Sequence, residues 1–299
     1  MRARRGRPRP APLPVVAEPI FPPRNLPIPF VRTCLPSARD LAYAPAQARP
    51  TPAATDGRGT LIPLNDENPT ELRPWMTLLL IAANFLLWFY VQGAGADFPR
   101  LEASVMDYGA RPCEITGACR TEQLGWGALL TSMFMHGGWG HILGNMLFLW
   151  VFGNNIEDSM GHVRFLVFYV VCGLAASAAH IFFSPASTLP MVGASGAISG
   201  IMGAYILLYP SARVRTYFPP IFFFRIRAFF FLLLWFVLQL FSALSAPGMP
   251  EEGGVAVWAH IGGFVAGLAL IKAFDRPRLV AAKRQGVQLP PDEVARLQW

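Results

Sequence analysis

The sequence predicts an all-α, polytopic membrane protein: a bundle of six membrane-crossing helices. Three observations carry that expectation. Hydrophobic residues make up 53% of the 299 and charged residues only 14%, with a mean hydropathy of +0.38, far from the balance of a water-soluble domain. The apolar residues gather into runs of about 16 to 21, long enough to cross a hydrocarbon core of roughly 30 Å as helices. The strand alternation that a membrane barrel requires is absent from them.

Residues 1–70 precede the first run and differ in kind: Pro-, Ala- and Arg-rich, with neither helical nor strand period, so a disordered cytoplasmic arm is expected. Its first 16 residues hold five arginines and no acid, the bias of an organelle transit peptide, yet are too Pro-rich for an amphipathic helix; the missing apolar core excludes a secretory signal. The runs follow at 74–91, 139–156, 163–183, 194–209, 228–244 and 255–274, giving a six-helix domain over 71–275 and a short basic cytoplasmic tail over 276–299. An even number of spans puts both termini on one side, and the distribution of Lys and Arg chooses which. Arg213, Arg215, Arg225 and Arg227 follow the fourth run, and Lys272, Arg276, Arg278, Lys283 and Arg284 close the sixth, so both segments belong inside. The 184–190 loop is uncharged and the 245–254 loop carries only Glu251 and Glu252; these belong outside, with the long first loop 92–138. A net charge of +7 thus reads as topology in a lipid bilayer, not as a nucleic-acid surface.

Topology fixes the depth of the polar groups. The sixth run enters from outside, which puts His260 about five residues in, roughly 8 Å below the surface. The fourth also enters from outside with Ser195 in its first turn, and at about 16 residues it is too short to fill the core, so its outer end is recessed. A nucleophile type and a base type at one depth point to acyl-transfer chemistry inside the bilayer, which calls for neither metal nor cofactor. On the second run His141 and Asn145 are four apart and share a face, where they are candidate donors to a developing oxyanion together with the Ser195 amide. Gly140 and Gly144, Gly196 and Gly200, and Gly263 and Gly267 are each spaced by four, the pattern that lets helix backbones approach. Ser199 reads as a packing serine, His162 and His180 as interfacial, and Asn84 and Gln239 as interhelical hydrogen-bonders. Cys113 and Cys119 lie together in the outer loop, where a local disulfide and two free thiols are both open. Cys172 reads as a small packing residue.

With His136 and His141-Ile142-Leu143-Gly144-Asn145, Gly193-Ala194-Ser195-Gly196, Ala259-His260-Ile261-Gly262-Gly263 and Gly267, and Glu157 followed by Gly161 and Arg164-Phe165, the chain resembles the rhomboid family of intramembrane serine proteases over about 69–274. The resemblance implies the basic six-helix form common in bacteria, in an inner membrane with the site opening to the periplasmic side. It maps Ser195 to the nucleophile of a Ser–His dyad and His260 to the base. His141 and Asn145 map to the oxyanion side chains, and His136, Gly193, Gly196, Gly263 and Gly267 to the supporting positions. Substrates would be single-pass membrane proteins whose spans unwind near the cut, because a helix hides its carbonyls in hydrogen bonds. Two departures stand out. Some members place an aromatic against the catalytic His where this chain has Ser199, and some have a Trp-Arg pair in the first outer loop that is absent here. A non-proteolytic binder of membrane spans and a transporter remain as alternatives. Oligomeric state and the gating helix are left open, with the Phe-rich fifth run a candidate for the latter.

Overall fold

The computed structural model describes residues 61–120, 124–218, 222–245 and 256–297. The expected disordered arm therefore lies outside the described residues up to position 60, as does the acidic segment 246–255. The chain is mostly helical, and every apolar run falls on a helix. These are α1 (Trp75–Tyr90), then α2 (Phe98–Tyr108) and α3 (Pro112–Thr116) in the outer loop, α4 (Trp139–Phe148), α5 (Asn154–Met160), α6 (His162–Phe183), α7 (Ser195–Leu208), α8 (Ala228–Ser245) and α9 (Val257–Phe274). The second run is split: α4 passes into α5 through a π turn at Leu149–Gly153. By length and composition α6, α8 and α9 can each cross a membrane alone, while α1 and α7 are apolar but shorter.

Three short strands correct the domain boundaries. Ile62–Asp66 (β1), expected in the disordered arm, pairs antiparallel with Arg213–Phe218 (β2), which pairs with Phe222–Arg227 (β3) in a sheet of order β1-β2-β3. The segment after the fourth run is thus a hairpin, not a loop. Along β2, Arg213 and Arg215 are exposed while Val214 and Thr216 are buried, the period of two that a half-buried strand shows. That signal spans too few residues to stand out, and its partner β1 is distant in sequence. Pro63 has no N–H to give a ladder; it is tolerated because β1 is an edge strand whose register shifts between Pro63 and Asn65. Residues beyond 275, expected as a tail, include α10 (Pro277–Gln285) and α11 (Pro291–Leu297). Arg284 Nε donates to Leu208 O at 2.7 Å, docking α10 on the C-terminal end of α7.

Two adjacent carboxylates tie the helix ends together near the sheet. Glu157 accepts from the Met76 and Thr77 amides at 2.9 and 2.8 Å, from Thr77 Oγ1 at 2.7 Å, and meets His162 Nδ1 at 2.5 Å. It therefore caps α1, whose first-turn N–H groups lack intrahelical partners and whose positive end favours an anion. Asp158 accepts from the Leu72 amide at 2.7 Å and from Lys283 Nζ at 2.7 Å. Gly161, at φ 85° and ψ 167°, stops α5 and starts α6 in a conformation that side chains resist. Arg164 Nη1 donates to Phe274 O at 3.1 Å, closing the C-terminal end of α9. His162, and His180 on the same helix, are buried at 8% and 3% exposure, each in a terminal turn of α6.

Helices α7 and α9 meet at backbone distance. A Cβ on Gly263 would overlap the carbonyl oxygen of Gly196, one on Gly267 that of Gly200, and one on Gly203 that of Phe264. On its other side α7 meets α6, where a Cβ on Gly200 would overlap Cys172 and one on Gly196 would come within 2.7 Å of the Ala176 methyl. Gly140 and Gly144 behave differently, since a Cβ on either would meet nothing within 4 Å. Their expected role in helix packing is corrected: they open space instead of filling it.

Gly267→Ala should accordingly cost about 3 kcal/mol or more, since the overlapping atoms are backbone and only a helix shift relieves them. Gly144→Ala should lie within about 0.5 kcal/mol of the parent in the same detergent unfolding series. At the sheet, Asp66 accepts from Tyr205 Oη at 2.5 Å and from Asn155 Nδ2 at 2.6 Å. Burial pushes its carboxyl up to about 6, against the opposing hydrogen bond from Tyr205 and the charge of Lys283. A carboxyl raised in the fold binds more protons folded than unfolded between pH 4 and 6, so ionising it removes stability as pH rises through that window. Asp66→Asn should flatten that part of the stability profile, read as melting temperature against pH.

Candidate active site

The site lies at the end of the bundle opposite the sheet. Ser195 is the first residue of α7, and its preceding residue, Ala194, provides no side-chain cap, so the opening amides of the helix are not answered by a side chain there. The approach to Ser195 is held by the outer loop. Ala110 and Met191 exchange backbone hydrogen bonds at 3.0 and 2.8 Å, the Cys113 amide donates to Ser187 O at 3.0 Å, and Thr116 Oγ1 donates to Pro185 O at 2.8 Å. Cys113 and Cys119 form a disulfide, which closes the short turn that makes two of these contacts. The Gly193 amide donates to Ser132 O at 2.8 Å, fixing the last turn before the helix.

His260, one turn into α9, faces Ser195 across the glycine seam: its Nε2 is 2.8 Å from Ser195 Oγ. The other ring nitrogen, Nδ1, is 2.8 Å from Oε1 of Gln239 on α8. Trp235, one turn earlier on α8, lies with its ring centre 5.8 Å from the imidazole at 41°. Ser199 donates back to the Ser195 carbonyl at 2.7 Å and leaves the imidazole to these two residues. Among the residues expected as interhelical hydrogen-bonders, Gln239 thus bonds into the site itself. Asn84 donates from Nδ2 to Leu80 O of its own helix at 2.7 Å, and its side chain also meets Tyr169 of α6.

Residues on α4 form the facing wall. His141 Nδ1 accepts from the Gly137 amide at 3.3 Å, which assigns the ring proton to Nε2 and makes that nitrogen a donor. Gly193, at φ 118°, passes directly beneath it; a Cβ there would stand 2.7 Å from His141 Nε2 and 3.5 Å from Asn145 Nδ2. Only a residue without a side chain fits both that backbone angle and that gap. Asn145 Nδ2 is buried and has no hydrogen-bond partner among the described residues, a costly arrangement in a packed interior. His136 is fully buried, edge-on to His141 with ring centres 5.2 Å apart. Its backbone is clamped by Gln92, which accepts from the His136 amide at 2.9 Å and donates to its carbonyl at 2.8 Å.

A cleft of about 240 Å³ runs between these walls, lined by Gly140, His141, Gly144, Asn145, Ser195, Trp235 and His260 among others. All five polar positions read from the sequence (His136, His141, Asn145, Ser195 and His260) come together here, with Gly193, Gly196, Gly263 and Gly267 around them. Sequence reasoning missed Gln239, Trp235 and Gln92 as parts of the site. A lone amide within an apolar run was the available signal for Gln239, since a polar group there needs a partner. The arrangement offers a hydroxyl bonded to an imidazole and, across the cleft, the Asn145 amide without a partner among the described residues, with His141 beside it.

Sequence comparison agrees with the geometry. The family model described as the Rhomboid domain matches residues 123–276, just over half of the chain. "Rhomboid protease GluP" of Bacillus subtilis is 32% identical over 206 residues, covering 69% of this chain and 36% of that protein. "Rhomboid protein 1, mitochondrial" of Saccharomyces cerevisiae is 30% identical over 98 residues, 31% of this chain and 28% of that protein. "Putative rhomboid protease YdcA", also of Bacillus subtilis, is 32% identical over 83 residues, 28% of this chain and 41% of that protein. The chain spans about a third of the length of these relatives. The matched stretch runs from the outer loop, across both walls of the cleft, to the end of α9, and by that match the chain belongs to the rhomboid family of integral membrane proteins.

Proposed function

We propose that this protein is an intramembrane serine endopeptidase that cuts single-pass membrane proteins in or near their transmembrane segments. The observation that carries this reading is the 2.8 Å contact between Ser195 Oγ and His260 Nε2 in a cleft whose opposite wall presents Asn145 Nδ2, a buried donor with no partner among the described residues. In the reaction, Ser195 Oγ attacks the scissile carbonyl carbon while His260 Nε2 takes the hydroxyl proton. Charge collects on the carbonyl oxygen, where Asn145 Nδ2, His141 Nε2–H and the Ser195 amide supply donors. Collapse expels the amine, which takes its proton from His260, and leaves an acyl ester on Ser195. A water deprotonated by His260 then attacks the ester, frees the carboxylate product and returns the proton to Ser195.

Six spans with both termini inside is the topology that fits this chemistry. The C-terminal end of α7 carries the sheet and α10, through Tyr205 to Asp66 and Arg284 to Leu208, so the arginines of β2 and β3 cluster at the end away from Ser195. With positive charge inside, Ser195 opens toward the outer face, periplasmic if the membrane is a bacterial inner membrane. The substrate span must unwind there, because helical carbonyls are otherwise occupied.

Ser195→Ala in full-length protein reconstituted into liposomes should abolish release of a fluorescent ectodomain from a single-pass substrate while the melting temperature holds. Parental cleavage by that variant would overturn the mechanism in favour of binding without proteolysis. Asn145→Ala should lower kcat by roughly 100-fold to 1000-fold, the usual loss for one oxyanion donor, with little change in KM.

A further inference from the structure

We infer that Gln239 is a positioning residue that sets the tautomer of His260; the inference rests on the serine-protease reading above. A neutral imidazole carries one ring proton, and only the form protonated at Nδ1 leaves a lone pair on Nε2 to accept the Ser195 hydroxyl proton. The group facing Nδ1 therefore decides whether the base is competent. That group is an amide oxygen, Gln239 Oε1, at 2.8 Å, and it can only accept. It selects the Nδ1–H form without placing a charge in the bilayer, where an unpaired carboxylate would be costly.

The same contact seats α8. Its buried residues, Ala228, Phe231 and Leu232, all lie in its inner half. Beyond them α8 meets α9 through Trp235 and Phe236, whose rings stand 6.1 and 4.6 Å from that of Phe264, and then through Gln239. An aromatic ring beside the imidazole, which some family members place at the position of Ser199, is provided here by Trp235 from a different helix, tilted at 41° to His260. Because Trp235 also lines the cleft, the helix bordering the substrate path and the orientation of the base share one hydrogen bond.

Purified full-length protein, its Gln239→Met and Gln239→Glu variants and Ser195→Ala supply the test, with kcat, KM, melting temperature and the ¹⁵N spectrum of the His260 ring as readouts. Gln239→Met keeps length and volume but loses the acceptor; it should lower kcat roughly 10-fold to 100-fold with KM within about 2-fold, and the His260 spectrum should lose its single Nδ1–H form. Gln239→Glu retains an acceptor oxygen and should hold kcat within about 10-fold of the parent. Parental kcat and an unchanged spectrum in a folded Gln239→Met protein would overturn the inference, leaving the mechanism intact if Ser195→Ala is inactive. Cleavage by Ser195→Ala would sink the mechanism itself. Should Gln239→Met lose its fold, the parent spectrum decides alone: a Nε2–H form of His260 would overturn the assignment.

Discussion

The close approach of α7 and α9 is the constraint on which the rest of the site depends. Helices in lipid gain little from hydrophobic burial against one another, so their association rests on packing and on hydrogen bonds made at short range. Here the carbonyl oxygens of Gly196 and Gly200 occupy the space that side chains at 263 and 267 would need. Two polar residues on neighbouring helices then come within hydrogen-bond distance with no loop to adjust them. The Ser195–His260 contact is a consequence of backbone proximity, and its precision is that of two rigid helices. Even Cys172, whose thiol is buried, serves this geometry by being small enough to lie against Gly200.

Buried polar groups gather at both ends of the bundle. At the sheet end both carboxylates of the Glu157–Asp158 pair are occupied by amides, a hydroxyl or a cation, and the terminal carbonyls of α7 and α9 receive arginine side chains. At the Ser195 end Asn145 Nδ2 is buried with no hydrogen-bond partner among the described residues, and His141 lines the cleft beside it. A packed interior normally answers such donors, because an unmet one forfeits its hydration. Under the proposed mechanism, the Asn145 amide beside Ser195 is the donor that charge on the scissile carbonyl would meet.

Between these ends, elements outside the glycine seam refine the site. The disulfide turn and the Ala110–Met191 bridge hold the loop that leads into α7, so residues 110–119 act on the position of Ser195 through backbone hydrogen bonds. Gln92 fixes the backbone of His136, which packs on His141 and so supports the donor wall. On the remaining side α8 holds the imidazole through Gln239 and Trp235. Three separate segments thus each orient one component.

By itself, the sequence determined the helical class, the apolar runs and the residues that meet at the site. Those are properties of composition, length and spacing: a run either is or is not long enough to cross lipid, and Ser195, His260, His141 and Asn145 stand out because polar groups in such runs are costly. Tertiary structure alone decided which small residues pack and which leave space, since Gly140–Gly144 and Gly263–Gly267 share one spacing but opposite surroundings. It also decided the sheet, whose strands are short and whose β1 partner lies far along the chain, and the role of Gln239, which has meaning only when α8 stands beside α9. Spacing along a helix says which residues share a face; what that face meets depends on a second helix whose position no local pattern encodes.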